Sequence, residues 1–295
     1  MGATLAVRPK TQPKGWALTV GGVVIKPALL ALTTRTWIDG EKIPATGGCV
    51  IVLNHLSHVD PLVSAHLVWD HGRLPRYLAK DGLFRHRVLG AMMRDAGQIP
   101  VHRGSGAMDA FDSAVAAVEA GECVVVYPEG TLTRQPDLWP MMGRSGAARI
   151  ALRTGCPVVP IGQWGAQRLL PPYARKPRLL PRTHVTLKVG DPVDLSAHAG
   201  GQVTAARLSA ATETIMDAIT DLVAEIRGES PPAERFDPRR EGLSEYGRPR
   251  PTGGRPGRGA GARTGGGHDG HADGRTDGRT DDDTDGESRD QGGTA

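Results

Sequence analysis

Apolar and polar positions divide the chain into three regimes. Residues 16–32 are apolar apart from Lys26, which is followed by Pro27. Residues 49–227 alternate short apolar runs with longer segments in which apolar residues recur every three or four positions. From about Asp237 onward large apolar residues almost vanish. In the middle regime, a short apolar run bounded by turn signals reads as a buried strand, and a three-to-four-residue recurrence reads as an amphipathic helix. The pattern predicts strands over 49–54, 75–80, 98–102, 123–127, 157–162 and 185–190, and helices over 60–68, 83–96, 107–120, 146–153 and 203–227. Residues 37–48 are polar with turn signals and read as a connector. Asp60-Pro61 opens the first of these helices, with Asp60 as its N-cap and Pro61 at the first helical position. Strands separated by helices imply an α/β fold, with a mostly parallel central sheet covered by helices.

Three parts follow from the pattern: an N-terminal membrane-associating helical segment over 1–48, an α/β domain over 49–236, and a tail over 237–295. The N-terminal apolar stretch is shorter than a spanning helix requires and carries a charge and a proline near its middle. It reads as a helix or helix pair lying in a membrane interface, with Trp16, Trp37 and flanking cations at headgroup level. An ordinary core helix, a signal peptide and a true span are the competing readings. The tail is built from Gly, Arg, Asp, Thr and Pro, with near-repeats around Gly274-Arg275-Thr276-Asp277 and an acidic cluster from Asp281 to Asp285. Such a segment buries too little apolar surface to offset its ordering entropy, so it reads as disordered.

Charge and composition narrow the partners. The formal net charge is +4, and the tail holds 10 Arg against 12 acidic residues, so the remainder carries about +6. A basic fold faces phosphates, anionic lipid or nucleic acid. With three Phe and four Tyr there is little to build a base-stacking platform, which argues against nucleic acid. The three cysteines, Cys49, Cys123 and Cys156, lie in or beside apolar runs without metal-ligand spacing. They read as small core residues of a reducing compartment.

The chemistry gathers at the ends of two predicted strands. In Asn54-His55-Leu56-Ser57-His58-Val59-Asp60 a histidine precedes an aspartate by five residues. A histidine held through one ring nitrogen by a carboxylate can deprotonate a hydroxyl with the other. A satisfied histidine beside a helix cap is the plainer reading, and a metal bound by His55, His58 and Asp60 is a third. No Gly-x-Ser-x-Gly elbow occurs, so a covalent acyl-enzyme is not indicated. After the strand over 123–127 comes Pro128-Glu129-Gly130-Thr131, a turn whose N–H groups can hold a phosphate or carbonyl oxygen. Arg103 follows another strand and can grip a phosphate through two bonds. In an open α/β sheet the carboxyl ends of strands border the ligand crevice, so one crevice can contain both turns.

These stretches together resemble the glycerolipid acyltransferase family, which includes the 1-acyl-sn-glycerol-3-phosphate acyltransferases. The family's Asn-His-x-x-x-x-Asp motif is matched by Asn54, His55 and Asp60. Its glycine followed six residues later by arginine is matched by Gly97 and Arg103, with Lys80-Asp81-Gly82-Leu83-Phe84 leading in. Its Pro-Glu-Gly-Thr motif is matched by Pro128 to Thr131, after Tyr127, and its last motif by Val158-Val159-Pro160-Ile161. The motifs occur in order and the resemblance spans residues 16–227. One position departs from it. The family places an arginine directly after the threonine, where this chain has Leu132 and reaches its next arginine at Arg134.

The resemblance implies transfer of an acyl group from acyl-CoA or acyl-carrier protein to the hydroxyl of lysophosphatidic acid, giving phosphatidic acid. His55 is then the general base and Asp60 its orienting partner. Arg103, Glu129, Gly130, Thr131, Arg134 and Lys80 are the candidate acceptor-binding residues. It implies no cofactor and no metal beyond the acyl co-substrate, a lysophospholipid acceptor, and a peripheral or monotopic place on the cytoplasmic face of the cell membrane. Leu132 leaves open acylation of another lipid or glycolipid hydroxyl; a non-catalytic lipid-binding protein is the alternative from a different class.

Overall fold

The computed structural model describes residues 15–101 and 107–243. The chain opens with helix α1 (Trp16–Val20), continues without a break through a wider π-helical turn, Gly21–Ile25, and ends the helical stretch as α2 (Lys26–Leu32). Strand β1 (Thr33–Ile38) follows, then β2 (Cys49–Leu53), helix α3 (Asp60–Asp70), β3 (Pro75–Lys80), α4 (Asp81–Phe84), α5 (Arg87–Asp95) and β4 (Ile99–Val101). Next come α6 (Ala107–Glu119), β5 (Cys123–Val126), α7 (Gly146–Thr154), β6 (Val158–Trp164), α8 (Ala166–Leu169), β7 (Thr183–Val189) and α9 (Ala205–Arg227).

The seven strands form one sheet in the order β1-β7-β6-β2-β5-β3-β4. Every pairing is parallel except β6 with β7. The expected mostly parallel, helix-covered α/β fold is therefore present. Successive side chains of a strand face opposite sides of a sheet, and the core divides accordingly. Val50, Val52, Val124, Val126 and Val158 pack beneath α6, α7 and α9. Ile51, Leu53, Val125, Val159, Ile161 and Leu187 pack beneath α2 and α3. Two covered faces explain why the central strands are unbroken apolar runs.

Two elements differ from the sequence expectation. The stretch read as a polar connector begins inside β1, an edge strand. Thr34, Arg35 and Thr36 are exposed there, so no apolar run announces the strand. It is held by pairing along its length with β7, from Thr33 opposite Thr183 to Ile38 opposite Lys188. The helix expected over 83–96 is two helices, broken after Phe84; at Gly90 a Cβ would lie 2.1 Å from the carbonyl oxygen of Phe84. The close crossing of the second helix over the end of the first needs a residue without a side chain.

The N-terminal helical stretch is anchored to the body from one side. Leu29 and Ala17 are buried, Lys26 pairs with Asp70 at 2.6 Å, and the Ala17 N–H donates to Asp95 at 2.8 Å. Trp37 lies in β1, with its indole N–H on Asp70 at 3.2 Å and its ring edge-on to His66. The other side of the stretch exposes Trp16, Val23 and Val24. Among the described residues no helix is long and apolar enough to cross a membrane. All three cysteines are free; Cys49 and Cys123 are buried and Cys156 is half-buried. The basic start before Gly15 and the tail from residue 244 lie outside the described residues.

Candidate active site

The end of β2 delivers Asn54 and His55 to the carboxyl edge of the sheet. Asn54 is fully buried and is fixed across the sheet to the end of β6. Its amide nitrogen donates to the Gln163 carbonyl at 3.1 Å, its side-chain oxygen accepts from the Gln163 N–H at 2.9 Å, and the Gln163 amide returns a bond to the Asn54 carbonyl. This clamp sets where the chain leaves the strand. His55 follows at once, so its position inherits that rigidity.

The turn after His55 is closed by Asp60. The Oδ2 atom of Asp60 accepts from the N–H groups of Leu56 at 2.6 Å and Ser57 at 2.7 Å and lies 2.9 Å from His55 Nδ1. Asp60 is thus the first residue of α3 rather than its N-cap: its carboxylate reaches back into the turn, not forward to the helix. That geometry fixes the tautomer. An ionised carboxylate only accepts hydrogen bonds, so Nδ1 carries the proton and Nε2 is left with its lone pair. Asp60 is fully buried while the His55 side chain keeps 16 % of its exposure, which leaves the ring reachable from the crevice.

Tyr127, at the end of β5, lies beneath the imidazole. The rings stack at 4.3 Å between centroids and 25° between planes. The Tyr127 hydroxyl is 3.0 Å from Ser64 Oγ, which also meets the Tyr77 hydroxyl at 2.7 Å and the Asp60 carbonyl at 2.9 Å. Burial pushes the Tyr127 and Tyr77 phenols well above their ordinary range, so both remain neutral hydrogen-bonding groups. The floor under His55 and the first turn of α3 are thereby one network.

Glu129 completes the frame. One carboxyl oxygen accepts the His55 N–H at 2.7 Å and the other the Met141 N–H at 3.2 Å. Burial is the largest influence on this group. It pushes the carboxyl up to about 8, against the two N–H bonds that favour the charge and with the nearby Asp60 adding to the rise. The Thr133 N–H donates to the His55 carbonyl at 2.8 Å, so the loop after β5 is laced to the loop after β2. The N–H groups of His55, Leu56 and Ser57 are all engaged in these bonds, and none of the three remains to meet an oxyanion.

The structure brings His55, Asp60 and Glu129 together and places Gly130 and Thr131 in the adjoining turn. Gly130 is exposed with φ 70°, and a Cβ there would lie 2.7 Å from Arg144 Nε, so the turn depends on glycine. Lys80 is exposed at the end of β3, separated from β2 by β5. Arg134 is buried at 9 % exposure, and Leu132 is buried at 2 % in the space beside the turn. Arg103 lies outside the described residues. His58 is exposed, and among the described residues no group of three or more His, Cys, Asp or Glu side chains gathers as a metal site. Gln163, Ser64, Tyr77 and Met141 were not singled out in the sequence; no periodicity or spacing marks them, because each acts through a partner distant along the chain.

Comparison with known proteins finds similarity to acyltransferases. The family model described as Acyltransferase matches residues 35–164, from β1 to the end of β6, a span that contains His55, Asp60, Glu129 and Gln163. A chloroplastic 1-acyl-sn-glycerol-3-phosphate acyltransferase of Brassica napus is 33% identical over 141 residues, covering 46% of this chain and 39% of that relative. This chain therefore spans about two fifths of the plant protein's length. A 1-acyl-sn-glycerol-3-phosphate acyltransferase of Bacillus subtilis is 28% identical over 187 residues, covering 62% of this chain and 84% of the relative. The crystal structure of the 1-acyl-sn-glycerophosphate acyltransferase PlsC from Thermotoga maritima superposes with a TM-score of 0.53 at 21% identity, covering 74% of this chain and 89% of that one. The chain thus shares the fold of PlsC, and its residues 35–164, which run from β1 to the strand that clamps Asn54, match the Acyltransferase family model.

Proposed function

We propose that this chain is a 1-acylglycerol-3-phosphate O-acyltransferase, in which His55 is the general base and Asp60 the residue that positions it. The observation that carries the reading is the 2.9 Å contact between His55 Nδ1 and an Asp60 oxygen already holding two backbone N–H groups. His55 Nε2 removes the proton from the acceptor hydroxyl as that oxygen attacks the thioester carbonyl of acyl-CoA or acyl-carrier protein. The tetrahedral intermediate collapses, the C–S bond breaks, and the thiolate takes the proton from the imidazolium. Asp60 stabilises that imidazolium without becoming protonated. Base catalysis contributes roughly 10²–10⁴-fold, and orientation of the two substrates supplies much of the rest.

Lys80, Arg103, Arg134 and the Glu129-Gly130-Thr131 turn are proposed to surround the acceptor, with Glu129 acting through the backbone of His55. A lysophospholipid acceptor implies work at a membrane surface, on the cytoplasmic face where the acyl thioesters are made. The exposed Trp16, Val23 and Val24 of the N-terminal helical stretch support contact with that surface. Leu132 favours a second reading of the acceptor: the family's arginine is replaced by a side chain buried in the protein, so a hydroxyl-bearing lipid without a terminal phosphate fits this site as well.

The test is release of free CoA by the purified chain from acyl-CoA and a panel of acceptors, headed by lysophosphatidic acid. His55→Ala should abolish release while circular dichroism stays unchanged. Undiminished turnover in that variant refutes His55 as base. Equal turnover on phosphate-free acceptors moves the substrate to the second reading.

A further inference from the structure

The segment between α8 and β7 is rich in exposed cations, and its first residue, Leu170, is bonded to the turn between His55 and Asp60. With Arg168 of α8 just before it, it brings Arg175, Lys176, Arg178 and Arg182 within 15 residues, all exposed. Beside them Leu179 and Leu180 are 48% and 84% exposed. The sequence has no Asp or Glu from Leu138 to Gly190, and none before Asp39. The rim made by this segment and the N-terminal helical stretch therefore contains no carboxylate of its own.

The segment is built rather than loosely hung. The Arg178 N–H donates to the Leu169 carbonyl at 2.7 Å, closing the loop on itself. Ser57, inside the turn between His55 and Asp60, donates its hydroxyl to the Leu170 carbonyl at 2.7 Å. The Tyr173 hydroxyl donates to the Leu132 carbonyl at 3.1 Å. At its far end the Arg182 guanidinium bonds the carbonyls of Leu30 and Thr33, where a cation meets the orphan acceptors of the α2 C-terminus. The register explains the location. β7 runs antiparallel to β6 and begins three residues beyond the Thr186–Trp164 pair, so Thr183 and its partner Thr33 project past the edge from which His55 emerges.

We propose that the loop over 171–182 docks this chain on an anionic lipid bilayer, with Arg175, Lys176 and Arg178 at the phosphate level and Leu179 and Leu180 inserted below it. A cluster of cations around exposed leucines, with no carboxylate in the same stretch, complements a negatively charged surface with an apolar interior. A solvated loop gains nothing from two adjacent leucines in water. Because this loop is bonded to Leu132 through Tyr173, and Leu170 immediately before it accepts from Ser57, docking sets the bilayer against the crevice mouth and aligns it with the exposed face of the N-terminal helical stretch. The inference rests on the lipid-acceptor reading for its purpose but not for its test.

The experiment is co-sedimentation of the full chain with phosphatidylcholine vesicles, with and without phosphatidylglycerol. Wild type should bind the anionic vesicles more tightly, and added salt should weaken the binding. Arg175→Gln with Lys176→Gln and Arg178→Gln should lower partition by roughly fivefold per charge, about 100-fold for the three. Leu179→Ser with Leu180→Ser should lower partition in high salt, where the charges are screened. Both variants should keep the wild-type melting temperature and wild-type turnover on a water-soluble short-chain acceptor. Undiminished vesicle binding by the triple variant, or equal wild-type binding to neutral vesicles, overturns the proposal. So does a triple variant that binds vesicles normally but loses turnover only with an acyl-carrier-protein thioester, since the loop would then be a dock for an acidic carrier. If wild type binds anionic vesicles as stated yet turns over no soluble acceptor, the docking surface stands and the proposed activity fails.

Discussion

Replacing Glu129 by Gln separates the hydrogen bonds of this carboxyl group from its proton. In the folded chain burial raises Glu129 from the ordinary 4.5 to about 8. Between those values the folded chain holds a proton that the unfolded chain has released. The associated stability is fully present below pH 4.5 and is lost as the pH rises through about 8, on the order of 5 kcal/mol in all at about 1.4 kcal/mol per pH unit. His66 acts in the opposite sense. Burial, against the attraction of Asp70, lowers it from 6.5 to about 4, so its stability is present above 6.5 and is lost as the pH falls through about 4. The two slopes nearly cancel between pH 4.5 and 6.5, and Glu129 alone acts from there to pH 8. Wild type should be almost flat up to pH 6.5 and then lose about 2 kcal/mol by pH 8. Glu129→Gln should instead rise by roughly 3 kcal/mol up to pH 6.5 and then stay level. The amide also presents an NH₂ to one of the two N–H donors, a pH-independent cost of about 1–3 kcal/mol. Urea unfolding at half-unit pH steps measures both curves. Parallel curves for wild type and variant from pH 5 to 8 would refute the reasoning, because only a proton on Glu129 makes them diverge.

Two further outcomes follow from the geometry. Asp60→Asn keeps an oxygen for the Leu56 and Ser57 N–H groups but removes the charge facing the imidazolium; kcat should fall by roughly 10²–10⁴ with KM nearly unchanged, and a fall confined to KM would exclude the positioning role. Asn54→Ala strips both the N–H and the carbonyl of Gln163 of their partners in a dry site; chemical denaturation should show a loss of roughly 2–5 kcal/mol, and a loss below about 0.5 kcal/mol would show that the clamp does not hold the strand end.

The fold class was legible because its evidence is local. Unbroken apolar runs over Cys49–Leu53, Cys123–Val126 and Val158–Ile161 announce strands covered on both faces, and the spacing in Ala205–Arg227 announces a helix against one of them. β1 was hidden for the converse reason: an edge strand with Thr34, Arg35 and Thr36 in solvent has no apolar run, and its identity comes from a partner about 150 residues later. The ordered motifs likewise pointed to His55 and Asp60, which are five residues apart and meet within one turn.

What encloses that pair is decided only by tertiary structure. Asn54 and Gln163 are 109 residues apart, His55 and Glu129 are 74 apart, and no local preference encodes either contact. The same holds for Leu132. In the sequence it is a missing arginine; in the fold it is a buried side chain whose carbonyl is held by Tyr173 of the basic loop. The sequence alone determined the buried strands, the amphipathic helices and the His55–Asp60 pairing, because periodicity and short spacing act within a turn or a strand. The crevice, its rigidity and the surface beside it required the sheet to assemble, because packing and hydrogen bonds join residues by distance in space and not along the chain.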